Sequence, residues 1–263
     1  MKFTHLVTNG CSWTYCQGLD DPKAQGWPTL LANKLGCPVV NLALPGSSND
    51  GIVRRTFDYV YENKPFKNRP LFLIMYSQIY RREAWFNRLY DRNTNDYMTI
   101  PYPNPGLEEF KFHWKNSETL QEKIYFQEFD DEDFLRNDIK NKLSVKNLLE
   151  NNHYDFFFAE YFKFDIPQAT VEDVKKRFPM AYEEYSNLYD VRDVHNFTHG
   201  MKLPCGHDNL EGQEVVANLF YDRLVKKFGS LEVLPNWPFL ELKNFQHFGP
   251  KNDNHWKVGP VWR

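Results

Sequence analysis

The sequence predicts an α/β fold, with a parallel sheet enclosed between two layers of helices. Three observations predict it. Short β-prone runs alternate with segments of helical period from Phe3 to Tyr76. The third of these runs, Leu71-Phe72-Leu73-Ile74-Met75, is apolar without alternation, the pattern of a strand covered on both faces. The chain has 263 residues, enough to bury a core without staples.

The elements follow in order. Phe3 to Thr8 is β-prone and ends in Asn9-Gly10, a turn signal. Trp27 to Leu35 places Leu30, Leu31 and Leu35 at helical spacing and stops at Gly36. Pro38 to Leu44 is a second strand, running into Pro45-Gly46-Ser47-Ser48-Asn49, a loop rich in helix caps. Ile52 to Tyr61 reads as a helix and Pro70 to Tyr76 as the third strand. Residues 83 to 130 carry Pro101, Pro103 and Pro105 among acids and aromatics, and are expected to be irregular with a helix or two. Phe134 to Asn151 reads as a helix, and His153 to Phe162 as the fourth strand. Val171 to Leu188 reads as one helix with a solvated face. Asn209 to Phe228 is a helix with Val215, Val216, Leu219, Phe220 and Leu224 on one side. Pro235 to Arg263 has no period and is expected to pack over the domain or a partner. The expected organisation is one α/β domain over 1–234, interrupted after strand three by an insertion over about 83–150, and an irregular tail over 235–263. Strand-helix alternation at this spacing implies βαβ units, and hence a three-layer α/β/α arrangement whose parallel sheet is flavodoxin-like in strand order.

Composition narrows the function. A formal net charge of −3 argues against a protein that wraps nucleic acid. The N-terminus lacks an apolar signal-peptide stretch, and no run is long enough to span a membrane. The expectation is a cytoplasmic protein, with association with a virus particle as a second placing. Cys11, Cys16, Cys37 and Cys205, without a secretory signal, do not argue for disulfides. Aromatic residues make up 17% of the chain, which suits either a large aromatic core or rings that stack on sugars or partners.

Gly10-Cys11-Ser12-Trp13-Thr14 falls where strand one ends and a helix begins. Loops at the carboxyl ends of parallel strands line the ligand crevice of such sheets. A serine there can present its hydroxyl beside backbone N–H groups able to hold an oxyanion. The bland alternative is that Ser12 only caps the helix.

These residues, with Gln25-Gly26-Trp27-Pro28-Thr29-Leu30-Leu31-Ala32, resemble the first block of the SGNH/GDSL hydrolase family, which has Asp where this chain has Cys11. Asn41-Leu42-Ala43-Leu44-Pro45-Gly46-Ser47-Ser48-Asn49 resembles the second block. Gly206-His207-Asp208-Asn209-Leu210-Glu211-Gly212 resembles the last. The resemblance implies a serine ester hydrolase, with Ser12 as nucleophile and His207 as general base. It further implies an oxyanion hole from Ser12 and Gly46, and it needs neither metal nor organic cofactor.

The chain departs from the family at two places. The family's third block supplies an Asn after strand three, and here Gln78 holds that position, with Ser77 as a weaker candidate. Gln carries the same amide on a longer stem. The family also places an Asp shortly before the histidine, where this chain has Pro204 and Cys205. A Ser-His dyad is the expectation, with Asp193 and Asp208 as candidate triad acids that the spacing does not separate. Asn49, Arg81 and Trp13 are candidate substrate-binding residues. Arg81 can recognise an anion or a sugar, or simply pair locally.

Rival readings use the same residues. His199, Cys205 and His207 are sound zinc ligands by type, but their spacing matches no familiar site. Cys11 and Cys205 can be buried thiols or a disulfide across the site. The partner expected is a small-molecule or glycan ester, with no nucleic acid and no membrane. Hydrolysis of a small acyl ester, such as an O-acetyl group on a glycan, is the leading reading. An acyltransferase on the same Ser-His site and a non-catalytic binding or structural module, as on a phage particle, stay open beside it.

Overall fold

The structure is a computed structural model that describes residues 1–63, 69–79, 81–86, 96–101, 131–163 and 166–234, with backbone alone at 82–86 and 96–101. The chain opens with β1 (Lys2–Phe3) and β2 (His5–Asn9), followed by α1 (Ser12–Tyr15), α2 (Pro22–Gln25) and α3 (Trp27–Leu35). Next come β3 (Val39–Asn41), α4 (Asn49–Glu62) and β4 (Pro70–Tyr76), then β5 (Arg81–Phe86) and β6 (Asp96–Pro101). The second half holds α5 (Asp131–Asn151), β7 (Asp155–Glu160), α6 (Gln168–Arg177), α7 (Pro179–Ser186), a 3-10 turn (Val194–Thr198), α8 (Leu210–Phe228) and β8 (Glu232–Val233).

The main sheet is parallel in the order β3-β2-β4-β7, with Leu6 opposite both Val39 and Leu71, and Leu71 opposite Asp155. A bridge from Ala159 to Val191 adds a fifth position beside β7. The order is therefore that of a flavodoxin-like sheet, with the chain moving first to one side of β2 and then to the other. The central strands β2 and β4 are buried along their whole length, which is why Pro70–Tyr76 shows no alternation.

Two cores lie on the two faces. Leu6, Leu71, Leu73, Met75 and Phe157 pack under α3 and α8 through Trp27, Leu31, Val216 and Phe220. Val7, Phe72, Ile74, Tyr76 and Phe158 pack under α4 and α5 through Ile52, Val60, Val145 and Leu149. Alternate residues of each strand serve opposite layers, as the pleat requires.

Several expectations shift. The second strand covers only Val39–Asn41, shorter than Pro38 to Leu44. Val171 to Leu188, expected as one helix, is split between α6 and α7. Pro179 cannot donate to the helical ladder, and it forces Phe178 out of the helical region to φ −133°, ψ 57°. Residues 131–150, expected inside the insertion, form α5, the crossover helix that covers one face of the sheet. Arg81–Phe86 pairs antiparallel with Asp96–Pro101 where irregular chain was expected. Residues 102–130 and the tail at 235–263 lie outside the described residues.

His5 sits inside β2, with Nε2 2.9 Å from the Tyr59 hydroxyl and Nδ1 2.9 Å from Thr4 Oγ1. Burial lowers its pKa from 6.5 to about 3. The folded state thus holds the ring neutral while the unfolded chain takes a proton below pH 6.5. The stabilisation is full above pH 6.5 and is lost as pH falls toward 3, roughly 2 kcal/mol by pH 5. Denaturant titrations of wild type and His5→Gln at pH 7 and 5 should show a smaller acid loss in the variant.

Candidate active site

The candidate residues gather at the carboxyl ends of β2 and β4. Leaving β2, the chain turns at Gly10, where no other residue fits: a Cβ there would lie 2.0 Å from Thr14 Oγ1 and 2.8 Å from the Met75 carbonyl. Cys11 occupies the N-cap position of α1, and its carbonyl accepts from the Thr14 and Tyr15 N–H groups. Ser12 is consequently the first residue of the helix, not its cap, and its side chain makes no capping bond. It is buried, with 6% exposure.

The second loop is braced against the first by Arg55 of α4. Its guanidinium donates to the Gly10 carbonyl at 3.2 Å, to Ser47 Oγ at 2.8 Å and to the Leu42 carbonyl at 2.8 Å. Asn9 completes the brace, donating to the Ile52 carbonyl at 2.8 Å and to Thr56 Oγ1 at 2.9 Å. Gly46, at φ 74°, is the left-handed residue that this loop turns on. Helix α4 is capped by Ser48, whose hydroxyl accepts from the Gly51 N–H at 3.2 Å.

At the end of β4 the chain passes through Ser77 and half-buried Gln78. Asn49, a candidate for substrate contact, is only 2% exposed. Its amide is committed to this turn, accepting from the Ser77 N–H at 2.8 Å and donating to Asp138 at 2.7 Å and to the Ser77 carbonyl at 3.3 Å. It holds the Ser77-Gln78 loop from behind. Arg81 donates to Ser77 Oγ at 3.2 Å, and its charge reaches the His207 ring.

His207 stands on a tight hairpin. Lys202 bridges Asp208, the Leu203 N–H donates to the His207 carbonyl at 2.7 Å, and the Gly206 N–H donates back to the Leu203 carbonyl at 2.8 Å. Asn209 then caps α8, accepting from the Gly212 N–H at 2.9 Å. Buried Gln213 ties this turn to the first block, accepting from the Trp27 N–H at 3.0 Å and donating to the Asp208 carbonyl at 3.3 Å.

Trp13, directly after Ser12, joins the two halves. Its indole lies 4.6 Å from the His207 ring, tilted by 40°, and stacks on Tyr161 at 4.0 Å and 14°. No hydrogen bond links Ser12 to His207 among the described residues. Such bonds are often long before substrate binds.

The candidate acids separate clearly. Asp193 precedes the 3-10 turn without capping it, and its carboxylate accepts from the Asn196 side-chain amide. Asp208 is buried, accepts from the Tyr161 hydroxyl at 2.8 Å and pairs with Lys202. It is the carboxylate whose charge raises the His207 pKa. Burial outweighs it, and with Arg81 and Lys202 it leaves His207 below 6.5. His207 Nδ1, where a triad acid would bond, is buried without a hydrogen-bond partner.

Sequence reasoning did not single out Tyr161, Lys202 or Arg55. Nothing in spacing marks them, since an arginine on a helix or a tyrosine after a strand reads as an ordinary surface or core residue. All four cysteines are free thiols, so Cys11 and Cys205 are not bridged. Among the described residues no group of three His, Cys, Asp or Glu can hold a metal ion.

This architecture is similar to that of several solved structures. The psychrotrophic esterase EstA from Pseudoalteromonas sp. superposes with a TM-score of 0.51 at 12% identity, over 86% of this chain and all (100%) of that one. TesA gives 0.48 at 14% identity over 84% and 98%, and a lipolytic G-D-S-L protein from Veillonella parvula DSM 2008 gives 0.45 at 13% over 86% and 98%. At such identity the likeness is one of fold, and the fold is that of the SGNH hydrolases. Residues 17–233 match a family of unknown function (DUF6071), and the chain belongs to that family. No curated protein matches its sequence.

Proposed function

We propose that the chain is a serine ester hydrolase acting on a small acyl ester through an acyl-Ser12 intermediate. The observation that carries the reading is the Trp13–His207 contact, which draws the end of β2 and the C-terminal hairpin into one crevice at the carboxyl edge of the sheet. Ser12 Oγ attacks the acyl carbon while His207 accepts its proton. The Ser12 and Gly46 N–H groups and the Gln78 amide hold the oxyanion. His207 then gives its proton to the leaving alcohol, and water, activated by the same ring, releases the acid and restores Ser12.

The narrower form is removal of an O-acetyl group from a glycan, favoured by half-buried Phe162 beside the candidate site. Acyl transfer to a sugar hydroxyl uses the same site and is separated by product analysis with and without an acceptor. A non-catalytic module is the second reading, favoured by the unpartnered Nδ1 of His207.

The test is p-nitrophenyl acetate turnover by wild type and His207→Ala across pH. His207 must be neutral to act, and burial holds its pKa below 6.5. Wild-type activity should therefore persist to a lower pH than an ordinary histidine allows, and fall only as the ring takes its proton. His207→Ala should lack that limb, and equal rates in the two proteins contradict the reading. Gln78→Ala should lower kcat by about 10²–10³ with KM little changed, the usual effect of losing one oxyanion donor.

A further inference from the structure

In a Ser-His-Asp site the acid fixes the imidazole's orientation and supports its charged form. Here His207 Nδ1 meets no hydrogen-bond partner, and Asp208 is engaged by Tyr161 and Lys202. The Cys205 carbonyl also lies against the ring, but no carboxylate holds Nδ1, so packing must fix the imidazole.

Trp13 is placed for it and is itself packed on several sides. Its indole packs 4.6 Å from the imidazole and is stacked on Tyr161 at 4.0 Å. Phe162 meets it edge-on at 5.5 Å, and the Trp13 carbonyl accepts from Trp27 Nε1 at 3.2 Å. Tyr161 is pinned in turn by two oxygens of Asp208, at 2.9 and 2.8 Å. Lys202 holds that carboxylate and lies 5.0 Å from the Trp13 ring centre.

We propose that Trp13 is the positioning residue of this site: wedged between Tyr161 and His207, it fixes the general base in place of the triad acid. The inference rests on the hydrolase reading above. An indole packed 4.6 Å away restricts the swing of the imidazole. The nucleophile and the support of its base are thus adjacent in sequence, so the turn that sets Ser12 also sets Trp13. Trp13 is accordingly not a wall for substrate but the back of the base.

The charged and polar groups that act on His207 are Asp208 and the Cys205 carbonyl, which raise its pKa, and Arg81 and Lys202, which lower it. Burial is the largest influence and lowers it too. Trp13→Ala removes part of that burial and leaves the four groups in place. The ring should then titrate closer to 6.5. Trp13→Phe keeps a flat ring and should stay near wild type.

The experiment follows the His207 ring by NMR titration in wild type, Trp13→Ala and Trp13→Phe, beside p-nitrophenyl acetate kinetics on the same samples. The inference expects an upward titration shift in Trp13→Ala, a matching upward shift of the acid limb, and kcat lower by about 10²-fold, the scale of a misplaced catalytic group. Trp13→Phe should recover most of both. Unchanged titration and rate in Trp13→Ala, with an active wild type, overturn the inference. A wild type that turns over no ester overturns the hydrolase reading, and the catalytic half of this inference with it, whatever the ring titration shows.

Discussion

Replacing Ser12 with Ala is expected to lower ester turnover by at least about a thousandfold while leaving the fold intact. The side chain caps no helix, so its loss removes chemistry and little else. What remains should be the slow background of bound ester held beside the oxyanion donors. KM should change little, because the acyl carbon is still positioned by the Gly46 and Gln78 loops. His207→Ala should fall to a similar level, and the double variant should lose little more, since nucleophile and base act as one unit.

Lys142→Met should cost about 3–5 kcal/mol of stability, the largest loss expected from a single side chain away from the crevice. Lys142 is fully buried in α5, with 0% exposure. Its ammonium lies 2.5 Å from Asp138 and 3.6 Å from Glu160, donates to the Tyr189 hydroxyl, and faces the rings of Tyr76, Tyr185 and Tyr189. Removing it leaves two buried carboxylates without their shared cation. Burial already raises the Glu160 pKa, and Lys142 acts in the other direction. The variant's deficit relative to wild type should therefore be greatest near neutral pH. It should shrink in acid as Glu160 takes its proton. Denaturant titration at two pH values checks both size and sign. The variant should also lose activity beyond its loss of folded protein, because Asp138 holds Asn49, which holds the Ser77-Gln78 loop.

The fold was legible where one physical cause dominated. Pro70–Tyr76 is apolar because helices cover both faces of β4, and Trp27–Leu35 ends where Gly36 adopts φ 69°. The split at Pro179 was readable in principle, since proline cannot continue a helical ladder, but the flanking helical period masked it. The role of α5 was hidden for a different reason. Asp138 and Lys142 are spaced like a surface ion pair, and only the tertiary packing of Tyr76, Tyr185 and Tyr189 around them makes the pair internal.

The site divides in the same way. Gly10 and Asn209 were readable because the backbone demands a particular residue at each, by close approach at Gly10 and by helix capping at Asn209. The support of His207 was not. The support we propose joins Trp13, Tyr161, Asp208 and Lys202, drawn from three separate stretches of chain and related by contact, not by spacing. Asn49 shows the converse. Its place in a loop beside Gly46 reads as a ligand contact, and its burial makes it a brace.

Covalent labelling tests the central claim most directly. An activated phosphonate that loses its leaving group to a nucleophilic serine should add once to the wild-type chain. Peptide mapping should place the adduct on Ser12, and His207→Ala should label far more slowly. Ester turnover with Ser12 left unmodified, or an adduct on another residue, would contradict the account.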